Sequence, residues 1–272
     1  SYNLNIQQQL SREWSLMAGY FGSQGKHLRT RVNLNQLVNG VRPFATAVVP
    51  GFAAPQSLGN ISDNVSNGAS NYNALWISSN MRPWHGLQFN ASYTYSKSLD
   101  YTSQNGQGIV IQNSLNPAGD KGLSDYDARN RFSANFIYSL PFKGNRFFEG
   151  WQVGSIFQSQ SGNPVNILAA SAAAGANIAS LTGVASIRPD LIGPVQLVGA
   201  PGSGGIVWFA NSVCDPGVAV CAPGTTFSIP DSAGNPKSFH FGNLGRNAII
   251  GPGFNNIDFS IIKKTRITER FT

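Results

Sequence analysis

The sequence predicts an all-β fold, an antiparallel transmembrane β-barrel of the outer-membrane type, and three observations carry that expectation. Long strands alternate apolar and polar residues, short and long connections alternate along the chain, and charged residues are scarce. Charged side chains make up only 11% of the 272 residues, against roughly 25% in an ordinary globular protein. Hydrophobic residues reach 41% and mean hydropathy is −0.13. A helical membrane protein would be far more apolar, whereas a barrel that alternates lipid-facing and lumen-facing residues averages out near neutral.

The clearest strand is Leu87 to Lys97. Leu87, Phe89, Ala91, Tyr93 and Tyr95 fall on one face, and Gln88, Asn90, Ser92, Thr94 and Ser96 on the other. A period of two over about ten residues is what a tilted strand needs to cross a bilayer, and a strand of a soluble sandwich is about half that long. Arg131 to Leu140 repeats the pattern through Phe132, Ala134, Phe136, Tyr138 and Leu140, with Ile137 the intruder on the polar face. Phe89, Tyr93, Phe132 and Phe136 are therefore expected to face lipid. Tyr2 to Leu10, Trp151 to Ser161 and Asn256 to Lys263 follow the same rule, and Trp14 to Phe21 and Tyr72 to Met81 follow it with more noise. Seven strands result, with the start of an eighth at Arg270-Phe271-Thr272.

The connections reinforce the strands. Short links are expected at Ser11-Arg12-Glu13, Arg82 to Gly86, Pro141 to Gly150 and Lys264 to Thr268. Long ones are expected at Gly22 to Asn71, Ser98 to Asn130 and Gly162 to Asn255. Loops of that length are uncommon in compact soluble domains. Their alternation with short turns marks a barrel with periplasmic turns and long extracellular loops, so odd strands run toward the periplasm. Trp14, Trp84 and Trp151 beside short turns, and Tyr93 and Tyr95 near the far strand end, fit the aromatic girdles of the two membrane interfaces.

Net charge is 19 − 12 = +7, but the basic residues are dispersed. The densest run, Lys263-Lys264-Thr265-Arg266, sits at an expected turn, which argues against a nucleic-acid footprint. Anionic headgroups at the barrel rims account for the charge. No apolar run is long enough for a transmembrane helix. Ile167 to Ala185 comes nearest and reads as a small-residue loop. The opening Ser1-Tyr2-Asn3-Leu4 lacks the basic start and apolar stretch of a secretory leader.

Candidate chemistry is sparse. His27, His85 and His240 are read as loop or turn residues and show no ligand spacing, so neither a metal nor a cofactor is expected. Cys214 and Cys221 do not fit the paired spacing of zinc sites. An oxidising cell exterior favours a local disulfide, worth about 2 kcal/mol, and two free thiols are the alternative. Asp120, Asp125, Asp127, Arg129 and Arg131 form the densest charge cluster. Extended backbone would put the last four on one lumen-side face, where two carboxylates could meet two guanidiniums. A structural network is preferred there over a ligand or cation site at the mouth of the lumen.

Three stretches also resemble a known family: Tyr72-Asn73-Ala74-Leu75, Gly86 to Asp100, and Asp125-Tyr126-Asp127-Ala128-Arg129-Asn130-Arg131-Phe132. They are similar to the barrel of Oar-like TonB-dependent receptors, common in Acidobacteria, which often carry a carboxypeptidase-regulatory-like domain. Phe241 to Asn247 and Gly251 to Asp258 resemble the segment before that family's last strands. The resemblance implies a bacterial outer-membrane location, lipid contact, an unidentified ligand and a TonB partner reached through an N-terminal part. Such receptors have a plug and about 22 strands. Residues 1–272 are therefore expected to be a partial barrel domain, without plug or signal peptide, of about 7–8 strands with open edges. Ligand uptake without enzymatic activity is the leading function. A structural or adhesive surface protein that binds a partner through its loops is the alternative, and an outer-membrane hydrolase ranks last because neither His27 nor His240 has a partner motif.

Overall fold

The structure is a computed structural model, and it describes residues 1–39, 41–48, 50–103, 111–170, 186–202, 205–209, 212–214, 221–230 and 240–265. Seven long strands build the main sheet: β1 (Tyr2–Gln9), β2 (Trp14–Asn33), β3 (Ser62–Trp84), β4 (Leu87–Asp100), β5 (Asn130–Ser139), β6 (Trp151–Gln160) and β7 (Phe254–Lys263). Each pairs antiparallel with its neighbour in sequence, so the sheet is a simple meander. The two-residue strand Gly122–Leu123 extends it by pairing with the end of β4. Among the described residues, β1 and β7 are the two edges, and the sheet does not close on itself.

Register sorts the side chains into two faces, because residues opposite each other on neighbouring strands share a face. One row reads Ile6, Ala18, Ile77, Tyr93, Phe132 across β1 to β5. Another reads Ala91, Ala134, Phe157, Ile257 across β4 to β7. The opposite face carries Gln7, Met17, Ser78, Ser92, Ser133, Gln158, Asn256 through all seven strands. Below it run Ser15, Asn80, Asn90, Asn135, Ile156, Asp258. The apolar face is left open: Ile6 is 66% exposed, Ile257 67% and Phe259 63%. In water that surface would be a severe liability, whereas against lipid it is matched. Phe89, Tyr93, Phe132 and Phe136 all lie on it.

All seven expected strands form, but two run much further than the periodicity indicates. β2 has 20 residues and β3 has 23, so the hairpin arms take in both ends of the expected Gly22–Asn71 loop. A span needs only about 9–11 residues, so roughly half of each arm stands clear of the bilayer. Water then lies on both faces, and no apolar period is required there. Register slips between Gly25 and Leu28 and again between Leu28 and Thr30 kink this section. His27, expected in a loop, sits at the first bulge with φ 56°.

The turn between β3 and β4 is tighter than expected. Trp84 pairs with Leu87, leaving His85 (φ 49°) and Gly86 (φ 85°) as a two-residue turn. Positive φ at both central positions is the geometry that matches strand twist in a tight hairpin. A side chain at Gly86 would also meet the Ser139 carbonyl at 2.7 Å. At this end Trp14 Nε1 donates to Ser79 Oγ at 2.8 Å, and Trp151 Nε1 donates to the Phe147 carbonyl at 2.8 Å.

The packed core lies in the long loops, not between strands. Phe227, Leu244 and Ile249 are its buried centre, with Ile167, Val195 and Phe209 packed against them. Short ladders hold this region, including one parallel pair between Val213–Cys214 and Phe227–Ser228. The expected eighth strand and most of the Ile167–Ala185 stretch fall outside the described residues.

Candidate functional site

The acidic cluster does not form the four-residue stripe expected of it. Residues 125 and 126 make a turn, so the chain reverses where extended backbone would have aligned the side chains. Asp120 ends a short 3-10 turn, Pro117–Asp120. Its Oδ1 pairs with Arg188 Nη2 at 2.6 Å and its Oδ2 accepts from the Gln112 amide at 2.6 Å. Asp125 Oδ1 accepts from Arg246 Nη1 at 3.2 Å and from Asn247 Nδ2 at 2.6 Å. Asp127 accepts from the Ser98 amide at 2.6 Å and lies 3.6 Å from Arg129. Arg129 also lies over the Tyr95 ring. Arg131 donates instead to Gln160 Oε1 at 3.0 Å. One of the two expected carboxylate–guanidinium pairs therefore forms, and the dominant partners come from elsewhere.

Those partners, Arg188 and Arg246, were not legible as site residues. Arg246 belongs to the Phe241–Asn247 stretch, and its guanidinium gathers four carbonyl or carboxylate groups from the end of β4 and the β4–β5 connection. Nε donates to the Asp120 carbonyl at 3.1 Å, Nη2 to the Asp100 carbonyl at 3.1 Å and to the Asp100 carboxylate, and Nη1 to Asp125. Burial pushes the Arg246 pKa down, and the flanking carboxylates hold the charge in place. The backbone must come very close for this: a side chain on Gly122 would sit 2.3 Å from the Arg246 carbonyl. Arg188 Nε donates to the Leu244 carbonyl at 2.8 Å, and its amide donates to Gln112 Oε1 at 2.7 Å. The first long loop joins through Gln36, which donates to Asn113 Oδ1 at 2.8 Å and accepts from the Ser114 amide at 2.7 Å. All three long loops are thus tied into one polar knot.

Where the knot sits follows from register. Asp100 and Asn90 are an even number apart on β4, whose pairing with β3 is regular from Ser70↔Asp100 to Met81↔Phe89. Asp100 therefore points to the polar face, and Arg246 reaches it from that side. The loops fold inward over the hollow side of the sheet. Further down the same face is a cavity of about 250 Å³, lined by Met17, Trp76, Ser78, Asn80, Asn90 and neighbours.

Cys214 and Cys221 stand with Cα atoms 5.5 Å apart and their sulfurs joined, which ties the chain beside the Phe227 core. His240 Nε2 lies 2.6 Å from Asp190 Oδ2, while His85 stacks edge-on against Trp84. Among the described residues, no group of three or more His, Cys, Asp or Glu is placed to hold a metal.

A long antiparallel meander with an apolar outer face, a polar inner face and loops knotted at one end defines the wall of a membrane-spanning barrel. A family model for an outer membrane beta barrel domain matches residues 1–272, and the chain belongs to that family. It resides in the bacterial outer membrane with its apolar face against lipid. Neither the curated proteins nor the solved structures gave a match.

Proposed function

We propose that this barrel wall belongs to a ligand-uptake receptor of the TonB-dependent, Oar-like type. The observation that supports this most directly is the inward fold of the long loops, fixed by Arg246 on the lumen-side carboxylate of Asp100. A wide barrel needs its mouth narrowed if it is to select a solute, and loops anchored on the lumen side form a vestibule. Loops serving adhesion alone would gain nothing from being held inward. The polar wall beneath is rich in Asn, Gln and Ser, suited to passing a hydrated ligand along many weak contacts. In this reading the buried carboxylates are scaffolding and the chain performs no covalent chemistry.

The test uses the full-length gene product in detergent micelles and the purified periplasmic domain of the host TonB protein. Saturable binding between them, lost when the receptor's N-terminal part is deleted, is the expected result. Absence of binding, together with loss of surface attachment when the gene is deleted, would establish the adhesive alternative instead.

A further inference from the structure

The cavity on the inner wall has a feature that its structural role does not explain. Ser78 is only 5% exposed, and its hydroxyl has no hydrogen-bond partner among the described residues. Its row neighbour Ser92 is already engaged, with Oγ 2.9 Å from Ser133 Oγ. On its other side stands Met17, whose thioether is only a weak acceptor. A buried hydroxyl without a partner is costly and is normally satisfied. Ser78 lines the cavity, so a group placed there would satisfy it.

The surroundings specify the chemistry of that group. One step toward the short-turn end of the sheet lies an amide row, Asn80, Asn90 and Asn135, in which Asn90 Nδ2 donates to Asn135 Oδ1 at 3.2 Å. One step toward the loops is Trp76, on the same face and braced edge-on by Phe21 at 6.3 Å between ring centres. Every residue lining the cavity is uncharged. Rows on one face are about 7 Å apart and strands about 4.8 Å apart, so the indole and the amide row stand about 14 Å apart along the sheet with Ser78 midway, a span for a few linked rings and not for one. Amides and hydroxyls both donate and accept, which suits a ligand whose own groups do the same. The indole offers a flat apolar surface with a polarised face, which suits a ring carrying axial C–H bonds on one side and hydroxyls at its edge. No charged side chain lines the cavity for an anion to pair with, and Arg131, in the next row, directs its Nε to Gln160 Oε1.

We propose that Trp76, Ser78 and the Asn80–Asn90–Asn135 row form a binding site for a short run of residues of a neutral oligosaccharide on the inner wall of the barrel. This names the ligand class of the uptake reading and rests on it. Trp76 stacks on one sugar ring, Ser78 hydrogen-bonds a hydroxyl beside it, and the amide row holds the edge of a ring further along the chain.

The experiment is calorimetric titration of the full-length gene product in micelles with maltohexaose, cellohexaose, xylohexaose and mannohexaose, with hexagalacturonate as the anionic comparison. At least one neutral hexasaccharide binds, and hexagalacturonate does not. Ser78→Ala weakens binding about fivefold, the loss of one hydrogen bond. It leaves the heat-modifiable folded form intact, because it removes a hydroxyl that lacks a partner in the unliganded protein. Trp76→Ala weakens binding about tenfold. Failure of all four neutral sugars to bind overturns the site. So does equal binding of hexagalacturonate, or binding that neither variant alters. Uptake of the radiolabelled sugar by whole cells separates the two proposals. Binding without energised uptake refutes the transport reading and leaves the site standing. Retained binding of the TonB domain with no sugar binding refutes the site alone.

Discussion

Replacing Arg246 by methionine should open the loop knot and leave the barrel intact. Met keeps the aliphatic stem of the side chain and removes the guanidinium, so the charge and its hydrogen bonds are lost together while the packing of the stem stays. Four hydrogen bonds go with it: to the Asp120 carbonyl, to the Asp100 carbonyl and carboxylate, and to Asp125. Breaking a buried ion pair by removing one partner costs about 3–5 kcal/mol, because the other charge is left uncompensated. The Asp100 side chain, 11% exposed, bears that cost in full, while Asp125, at 39%, recovers part of its hydration. The lower end, about 3 kcal/mol, is therefore appropriate. If the loops open locally, that energy multiplies the open population about a hundredfold. Hydrogen exchange read by mass spectrometry should show it at the amides of Gln112, Arg188 and Leu244, whose acceptors all lie in the knot or beside it. Amides of β5 and β6 should exchange as before. Arg246→Lys keeps the charge without the planar fork and should fall between. Exchange at those three amides within about threefold of the parent, or equal acceleration in the strands, would refute the idea of a local latch.

Three further outcomes follow from the same geometry. Ala134→Arg places a charge in the middle of the apolar face beside Phe157 and should cost about 2–4 kcal/mol in urea unfolding from lipid vesicles, whereas Gln158→Arg on the polar face should cost less than about 1; equal costs would contradict the assignment of faces. Asp127→Ala strands the Ser98 amide and should lower the unfolding free energy by about 1–3 kcal/mol, with Asp127→Asn recovering part of it as an acceptor; an unchanged unfolding free energy would count against its scaffold role. Alkylation should label Cys214 and Cys221 only after reduction. The reduced protein should be cut faster between them, by an amount matching about 2 kcal/mol of local stability, while heat-modifiable mobility of the barrel stays the same; labelling before reduction would rule out the bridge in the native protein.

The strands were legible because two solvents enforce them. Lipid outside and water inside impose a period of two on every membrane residue, and Phe89 to Tyr95 or Phe132 to Tyr138 can be read directly. Beyond Gly22 and before Asn71 water lies on both sides, the period vanishes, and the long arms of the β2–β3 hairpin escaped notice. Trp76 explains the noise in its strand, since it is a large aromatic on the polar face. The site was legible in parts only. Asp120, Asp125 and Asp127 stood out as a local cluster, but charge density along the chain says nothing about partners 68 or 121 residues away. Arg188 and Arg246 are single basic residues in loops, and only the fold reveals what they hold. The turn at residues 125 and 126 likewise broke a spacing argument that assumed extended backbone.

The contact between Asp100 and Arg246 spans 146 residues, and this has a consequence for biogenesis. Closing so long a loop is entropically unfavourable until the intervening strands have already brought its ends together. β5 and β6 must pair, and β7 must dock on β6, before Arg246 arrives at the end of β4. The knot is therefore among the last contacts to form and reports that assembly has succeeded. Chains stalled earlier would display bare carboxylates, Asp100 at the strand end and Asp120 and Asp125 on slack loops, a chemical difference by which a protease could tell unfinished barrels from finished ones.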